Sequence, residues 1–233
     1  MEINPSLQRS ALLFGDEKMQ TLSRLKVIIF GVGGVGSWCA EALVRSGVGS
    51  ITMVDADDVD ISNINRQLPA TTATIGMPKV EVLAERFRQI RPDMDVKAIK
   101  AFYDSGNADQ FPLGDYDVVI DAIDSVESKM LLIMRATAEK GVKLFSSMGA
   151  ARRLDPGMVK NAEFWNVKGC PLARALRDRF KKAGSYPRRK FQCVYSDEAV
   201  SGEPKGTSMA VTATFGLRIA ALAIASATDA NTN

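Results

Sequence analysis

Six residues, Gly31-Val32-Gly33-Gly34-Val35-Gly36, carry the sharpest chemical signal in the chain. The GxGxxG spacing lets the backbone turn tightly and brings main-chain N–H groups against a phosphate or ribose, because glycine has no side chain to hold a ligand off. The run follows a short β-branched segment, Lys26–Phe30, and opens a helical pattern. Those N–H groups therefore belong to a helix N-terminus, where anionic charge is favoured. Asp55 closes the next apolar run, 19 residues beyond Gly36, where an acidic side chain is placed to accept ribose hydroxyls. The combination reads as nucleotide binding and leaves the nucleotide open, since a nicotinamide-dependent oxidoreductase uses the same turn.

Two cations and two carboxylates follow in loops expected to face that turn. Arg66 ends the segment Ser62-Asn63-Ile64-Asn65-Arg66, and Lys79 opens a helical pattern after Gly76-Met77-Pro78. A lysine at a helix N-terminus opposes the macrodipole unless an anion sits there. A dehydrogenase has little use for such cations, whereas an ATP-splitting enzyme must neutralise the β- and γ-phosphates as the bond to the α-phosphate breaks. Singly, either residue reads equally as a solvated surface charge. Asp121-Ala122-Ile123-Asp124-Ser125 then places two carboxylates beside the same crevice. Asp124 is suited to magnesium or, as the alternative, to capping the next helix, as is Ser125.

These residues need elements to hold them. Lys26–Phe30 (KVIIF) reads as a strand, residues 37–45 as a helix, and Ser50–Asp55 (SITMVD) as a second strand. Residues 78–90 form an amphipathic helix with Pro in its first turn, 95–99 a third strand, 117–122 a fourth, 126–138 a helix and 142–145 a fifth strand. Strands alternating with helices imply an α/β fold, a Rossmann-like doubly wound and mostly parallel sheet, with ligands at the carboxyl ends of its strands. From about Ala150 the rhythm breaks. A basic helix at 171–183, a strand at 190–195 and a small-residue apolar helix at 208–226 read as a C-terminal extension of the same sheet.

Composition narrows the chemistry. The 233 residues, 46% hydrophobic and 24% charged, suit an ordinary globular chain. There is no histidine, which removes the usual general base, the commonest zinc ligand and the serine–histidine triad. Three cysteines, Cys39, Cys170 and Cys193, are too few for a four-ligand zinc site or a disulfide framework. Cys39 reads as packing, Cys193 as a strand residue, and Cys170 as inert or a reactive thiol. The longest uncharged stretch, Val27 to Ala40, is 14 residues, too short to cross a bilayer. No basic-then-apolar leader opens the chain, so the expectation is a cytoplasmic protein without membrane insertion. Residues 151–190 hold 12 Lys or Arg against 3 Asp or Glu, while the whole chain carries only +3.

GVGGVGSW at 31–38, VDADDVDISNINRQ at 54–67, IGMPKVEVLAERFRQIRPD at 75–93 and VVIDAIDS at 118–125 resemble, in order, the ThiF/MoeB/HesA superfamily. This is the adenylating domain shared with ubiquitin-activating enzymes. The resemblance implies one such domain over residues 1–233, with a nucleotide-binding half at 1–150 and an extension at 151–233 that carries the basic segment. It implies that Asp55 holds the ribose, Arg66 and Lys79 the phosphates, and Asp124 magnesium. Gly31, Gly33, Gly34, Gly36, Asp57 and Asn63 complete the nucleotide-binding set. Arg9, in the run Arg9 to Gly15, corresponds to an arginine that reaches ATP in the partner subunit of a homodimer. The implied chemistry is activation of a carboxylate as an acyl adenylate with loss of pyrophosphate.

Members that serve ubiquitin-like sulfur carriers usually hold zinc with two CxxC pairs, and this sequence has none. Residues 147–150 (SMGA), 154–156 (LDP), 171–174 (PLAR), 193–198 (CVYSDE) and 206–218 are instead similar to the tRNA threonylcarbamoyladenosine dehydratase branch. Cys170 departs from the acidic residue expected before PLAR. In that branch ATP activates the threonyl carboxylate of a modified adenosine beside the anticodon, and an internal nitrogen closes a ring as AMP leaves. The intramolecular closure lets positioning replace a histidine base. Arg152, Arg153, Arg174, Arg177, Arg179, Lys181, Lys182, Arg188, Arg189 and Lys190, interleaved with Phe180 and Tyr186, fit a tRNA backbone or, alternatively, a solvated face. The rivals are a sulfur-carrier adenylyltransferase, an oxidoreductase and an inactive nucleotide-binding module. A sulfur-relay protein as a further partner stays open.

Overall fold

The computed structural model describes residues 4–199 and 206–228. The first three residues, part of the segment read as carrying no leader, lie outside the described residues. Seven strands form one sheet in the order β3-β2-β1-β4-β5-β7-β6. They are β1 (Lys26–Phe30), β2 (Ser50–Asp55), β3 (Asp95–Lys100), β4 (Val118–Asp121), β5 (Lys143–Ser147), β6 (Val159–Glu163) and β7 (Gln192–Ser196). All neighbours are parallel except β6 on β7.

The central strands read as unbroken apolar runs because helices cover both of their faces: β4 is wholly buried and β1 is buried from Val27 onward. At the margin, β3 exposes Asp95, Lys97 and Lys100, charges that discourage a further strand from pairing there. On one face lie α3 (Gly36–Arg45), α4 (Lys79–Ile90) and α7 (Met209–Thr228). The other face is covered by α5 (Val126–Ala138), α6 (Pro171–Ala183) and the loop bearing Tyr103 and Phe111. Two short helices, α1 (Gln8–Phe14) and α2 (Asp16–Leu22), precede the sheet in a stretch the sequence left unassigned. Leu7, Met19 and Leu22 anchor them in the core.

By length and composition α7 could cross a membrane, yet it packs against α3 and the sheet. Val211, Phe215, Ile219, Ala220 and Ala223 are buried in the core. Gly216 permits the approach: a Cβ there would lie 2.4 Å from Val35 O and 2.8 Å from Cys39 N. A helix from far along the chain is thus laid against the helix that follows the glycine turn.

Candidate active site

The strand order reverses between β1 and β4, and such a switch point opens a crevice at the carboxyl ends of the strands. Here the crevice has a volume of about 280 Å³ and is lined by Gly31, Gly33, Gly34, Asp55, Asp57, Arg66, Lys79 and Asp124. The glycine turn forms because only glycine fits it. Gly31 has φ 86°, and its Cβ would lie 2.6 Å from Ala122 O. A Cβ on Gly36 would lie 1.8 Å from Gly31 O, so Gly36 shapes the turn from behind and does not line the crevice. No side chain caps the α3 N-terminus, and although Ser37 N is taken by Gly33 O, the positive end of the helix faces the crevice as an anion site requires.

Asp55 is tied into this turn. Its carboxylate accepts from Val32 N at 2.7 Å and from Asp57 N at 2.9 Å. Lys79 is only 4% exposed, which removes the reading of a solvated surface charge. Its ammonium donates to Asp57 Oδ2 at 2.7 Å, so a carboxylate supplies the anion that a lysine at this helix start requires. The loop carrying Arg66 is pinned by the first turn of α3. Trp38 Nε1 donates to Arg66 O at 3.0 Å, and Leu68 N to Ser37 Oγ at 3.2 Å. The guanidinium donates to Ser62 O and Asn65 Oδ1 at 2.8 and 3.0 Å.

Ser125, not Asp124, caps α5, accepting from Ser128 N. Asp124 is thereby left exposed at the crevice wall. Asp121 corrects the sequence reading that set both carboxylates beside the crevice. It is fully buried beneath the loop, where it accepts from Lys129 Nζ at 2.8 Å and Ser146 Oγ at 2.6 Å. Lys129, likewise fully buried, also donates to Ser147 O at 3.0 Å. A buried carboxylate needs such a partner, and nothing in the residue pattern marks Lys129, in the first turn of α5, as facing inward.

Asn63 is buried in a capping box, its Oδ1 accepting from Asp60 N, and is not a lining residue. Arg9 is exposed on α1 and is not among the residues that line the crevice of its own chain. Thr212 of α7, Gln67, Ser128, Phe102 and Tyr103 do line the crevice and were not singled out. Chain order hides Thr212, which a Cβ on Gly34 would approach to 3.3 Å.

The basic segment is less uniform than its sequence. Arg153 is buried, Arg177 donates to Phe164 O and Val167 O, and Arg179 pairs with Glu127. Arg189 donates to Thr137 O, Ala136 O, Glu139 O and Val142 O, where α5 ends. Phe180 is core. All three cysteines are buried, and burial pushes the thiols of Cys39 and Cys193 up, which keeps them protonated and unreactive.

The ThiF family model matches residues 7–232. A tRNA threonylcarbamoyladenosine dehydratase of Bacillus subtilis is 42% identical over 82% of this chain and 74% of its own length. The Escherichia coli enzyme of that name is 38% identical over 88% of this chain and 78% of its own. The solved structure of that E. coli dehydratase, TcdA, in complex with ATP superposes with a TM-score of 0.90 at 34% identity, covering 97% of each chain. With one family model running almost from end to end over a glycine turn, a buried lysine and a loop arginine gathered at the switch point, the chain belongs to the ThiF family.

Proposed function

We propose that this chain is an ATP-dependent tRNA threonylcarbamoyladenosine dehydratase. It adenylates the threonylcarbamoyl carboxylate of the modified adenosine and cyclises it, releasing pyrophosphate and AMP. The observation that carries the reading is the convergence of Lys79, Arg66 and Asp124 on the glycine turn, in a fold shared with an ATP-bound dehydratase.

A carboxylate oxygen of the tRNA substrate attacks the α-phosphorus of ATP, and the bond to pyrophosphate breaks. Negative charge builds on the departing oxygens, where Arg66 and Lys79 neutralise it. Lys79 reaches this role by exchanging Asp57 for phosphate. Asp55 takes the ribose, and the α3 N-terminus with Gly33 and Gly34 takes the phosphates. Asp124 is the residue that would hold magnesium, which supplies charge neutralisation at the leaving group. Among the described residues no cluster of three or more His, Cys, Asp or Glu side chains stands ready for a metal; a single carboxylate fits magnesium bound chiefly through substrate phosphates and water. In the second half-reaction a nitrogen of the same nucleoside attacks the acyl carbon and AMP carries off the carboxylate oxygen. Both ends of that bond belong to one molecule, so orientation does the work and no histidine is needed. The enzyme is a cytoplasmic homodimer in which the exposed Arg9 of one subunit completes the site of the other.

The test is incubation with threonylcarbamoyl-modified tRNA, ATP and magnesium, read as AMP released together with loss of one water mass from the nucleoside. Adenylate formation on a ubiquitin-like sulfur carrier, with modified tRNA untouched, would favour the rival adenylyltransferase. Tight NAD binding with indifference to ATP would exclude both.

A further inference from the structure

Once Arg177, Arg179 and Arg189 are assigned to partners within the fold and Arg153 to its interior, the exposed cations around the end of α6 stand out. Lys181 and Lys182 lie in its last turn, and Arg188 and Lys190 in the link to β7. In the same link lies Tyr186, 49% exposed, and beside it stands Trp165, 41% exposed. Their ring centroids are 6.1 Å apart and the planes are tilted by 50°.

The indole stands on a rigid base. Phe164 is fully buried, stacked on Phe191 at 5.0 Å and set edge-on to Phe180 at 5.9 Å. The Arg177 guanidinium lies 5.8 Å from the Phe164 ring and bonds the carbonyls on either side of Trp165. Glu163, the nearest acid in sequence, turns a carboxylate oxygen back onto Trp165 N at 3.0 Å, so that oxygen is committed to the turn. Ordering such a platform has been accomplished by folding, and little entropy is left to lose on binding.

Its distance from the chemistry follows from the helix. Leu172, in the first turn of α6, approaches Gly149 just past the carboxyl end of β5, with 3.8 Å to a Cβ built on that glycine. The 13 residues of α6 then run about 20 Å at 1.5 Å per residue. One nucleotide cannot occupy both places, but one tRNA can. Exposed aromatic rings flanked by cations are how proteins hold unpaired bases, the rings stacking and the cations lying along the phosphates.

We propose, resting on the dehydratase reading, that Trp165 and Tyr186 form a stacking platform for an unpaired base of the tRNA substrate outside the reacting nucleoside, with Lys181, Lys182, Arg188 and Lys190 on the adjoining phosphates. The test uses full-length protein and threonylcarbamoyl-modified tRNA. Trp165→Ala and Tyr186→Ala should each raise both the tRNA dissociation constant and the KM for tRNA by about tenfold or more. The KM for ATP and the kcat at saturating tRNA should stay at parent values, and Trp165→Phe should restore most of the affinity. Lys181→Gln with Lys182→Gln should instead flatten the salt dependence of binding. Alanine variants that fold, by circular dichroism, and bind tRNA as the parent does overturn the platform, as does a parent that binds no tRNA. A parent that binds modified tRNA through these rings but removes no water from it upholds the platform and overturns the dehydratase reading.

Discussion

Lys129 Nζ lies 2.8 Å from Asp121 Oδ2, and neither side chain has any exposed surface. The pair ties the carboxyl end of β4 to that of β5, because the same ammonium reaches Ser147 O and the same carboxylate receives Ser146 Oγ. Asp121 Oδ1 also accepts from Ile123 N, so the loop leading to Asp124 hangs from this pair. Removing one member of a buried pair strands the other, at a cost of about 3–5 kcal/mol. Lys129→Met should lower stability by that amount in denaturant titration. Asp121→Asn added to Lys129→Met should recover a large part, since the amide oxygen still accepts from Ile123 N while its Nδ2 can donate to Ser146 Oγ, with no charge to bury.

Arg66→Ala and Asp124→Ala should abolish pyrophosphate release while keeping the parent's far-ultraviolet circular dichroism and melting temperature within about a degree or two. Both side chains reach the crevice wall and neither caps a helix nor fills core, so surface-like stability effects within about 0.5 kcal/mol are expected. Loss of a charge that acts on the leaving group costs about 10²–10³ in kcat. Parent-rate pyrophosphate release from either variant would remove its assigned role.

If Arg9 works across a dimer, an Arg9→Ala chain and an Asp124→Ala chain are each inactive alone but combine into a heterodimer with one intact site. Co-expression and purification through two different tags should yield dehydration activity that neither homodimer has. An inactive heterodimer of correct mass would show that Arg9 does not act across the interface, and an active Arg9→Ala homodimer would place it outside the chemistry.

Glu41, nearly buried on α3, accepts from Arg86 at 2.8 and 2.9 Å and from Arg45 at 2.7 Å. Burial by itself would raise the carboxyl pKa, but the hydrogen bonds and charges of the two arginines outweigh it and hold the carboxyl below the ordinary range. A depressed folded-state pKa stabilises fully above the unfolded value, about 4.3, and that contribution is lost as pH falls through the folded one. Glu41→Gln should therefore lower the denaturant midpoint clearly at pH 7, and the gap to the parent should narrow as pH drops below about 4.

Gly216→Ala should cost about 1–3 kcal/mol, because the added methyl meets the backbone of α3 and nothing flexible enough to yield. ATP affinity, measured by calorimetry, should fall with it, since Val35 and Cys39 belong to the helix that starts at the glycine turn. Gly206→Ala, where a methyl meets nothing within 4 Å, is the control and should change neither.

Elements whose own residues settle their state were legible in the sequence. The β-branched runs of β1 and β2 and the apolar spacing of α5 and α6 led to bounds that coincide with those observed. β6 was not legible: VKNAE carries neither alternation nor a buried run, and it is a strand because β7 offers it an edge. The same division holds at the site. Gly31, Gly33, Gly34, Asp55, Arg66, Lys79 and Asp124 announce themselves by type and spacing, and they meet at one crevice. What burial and pairing decide stayed hidden, whether Asp121 turning inward to Lys129, Arg153 sinking into the interior, or Arg177, Arg179 and Arg189 meeting partners of the fold.

The seat of α7 on α3 also bears on how the protein is born. A ribosome releases the glycine turn early, but Thr212, which lines the crevice, and Gly216, which seats its helix on α3, are made long after it. Until then the nascent chain exposes an unfinished nucleotide cradle, and ATP can help to hold the fold together only after α7 has left the exit tunnel.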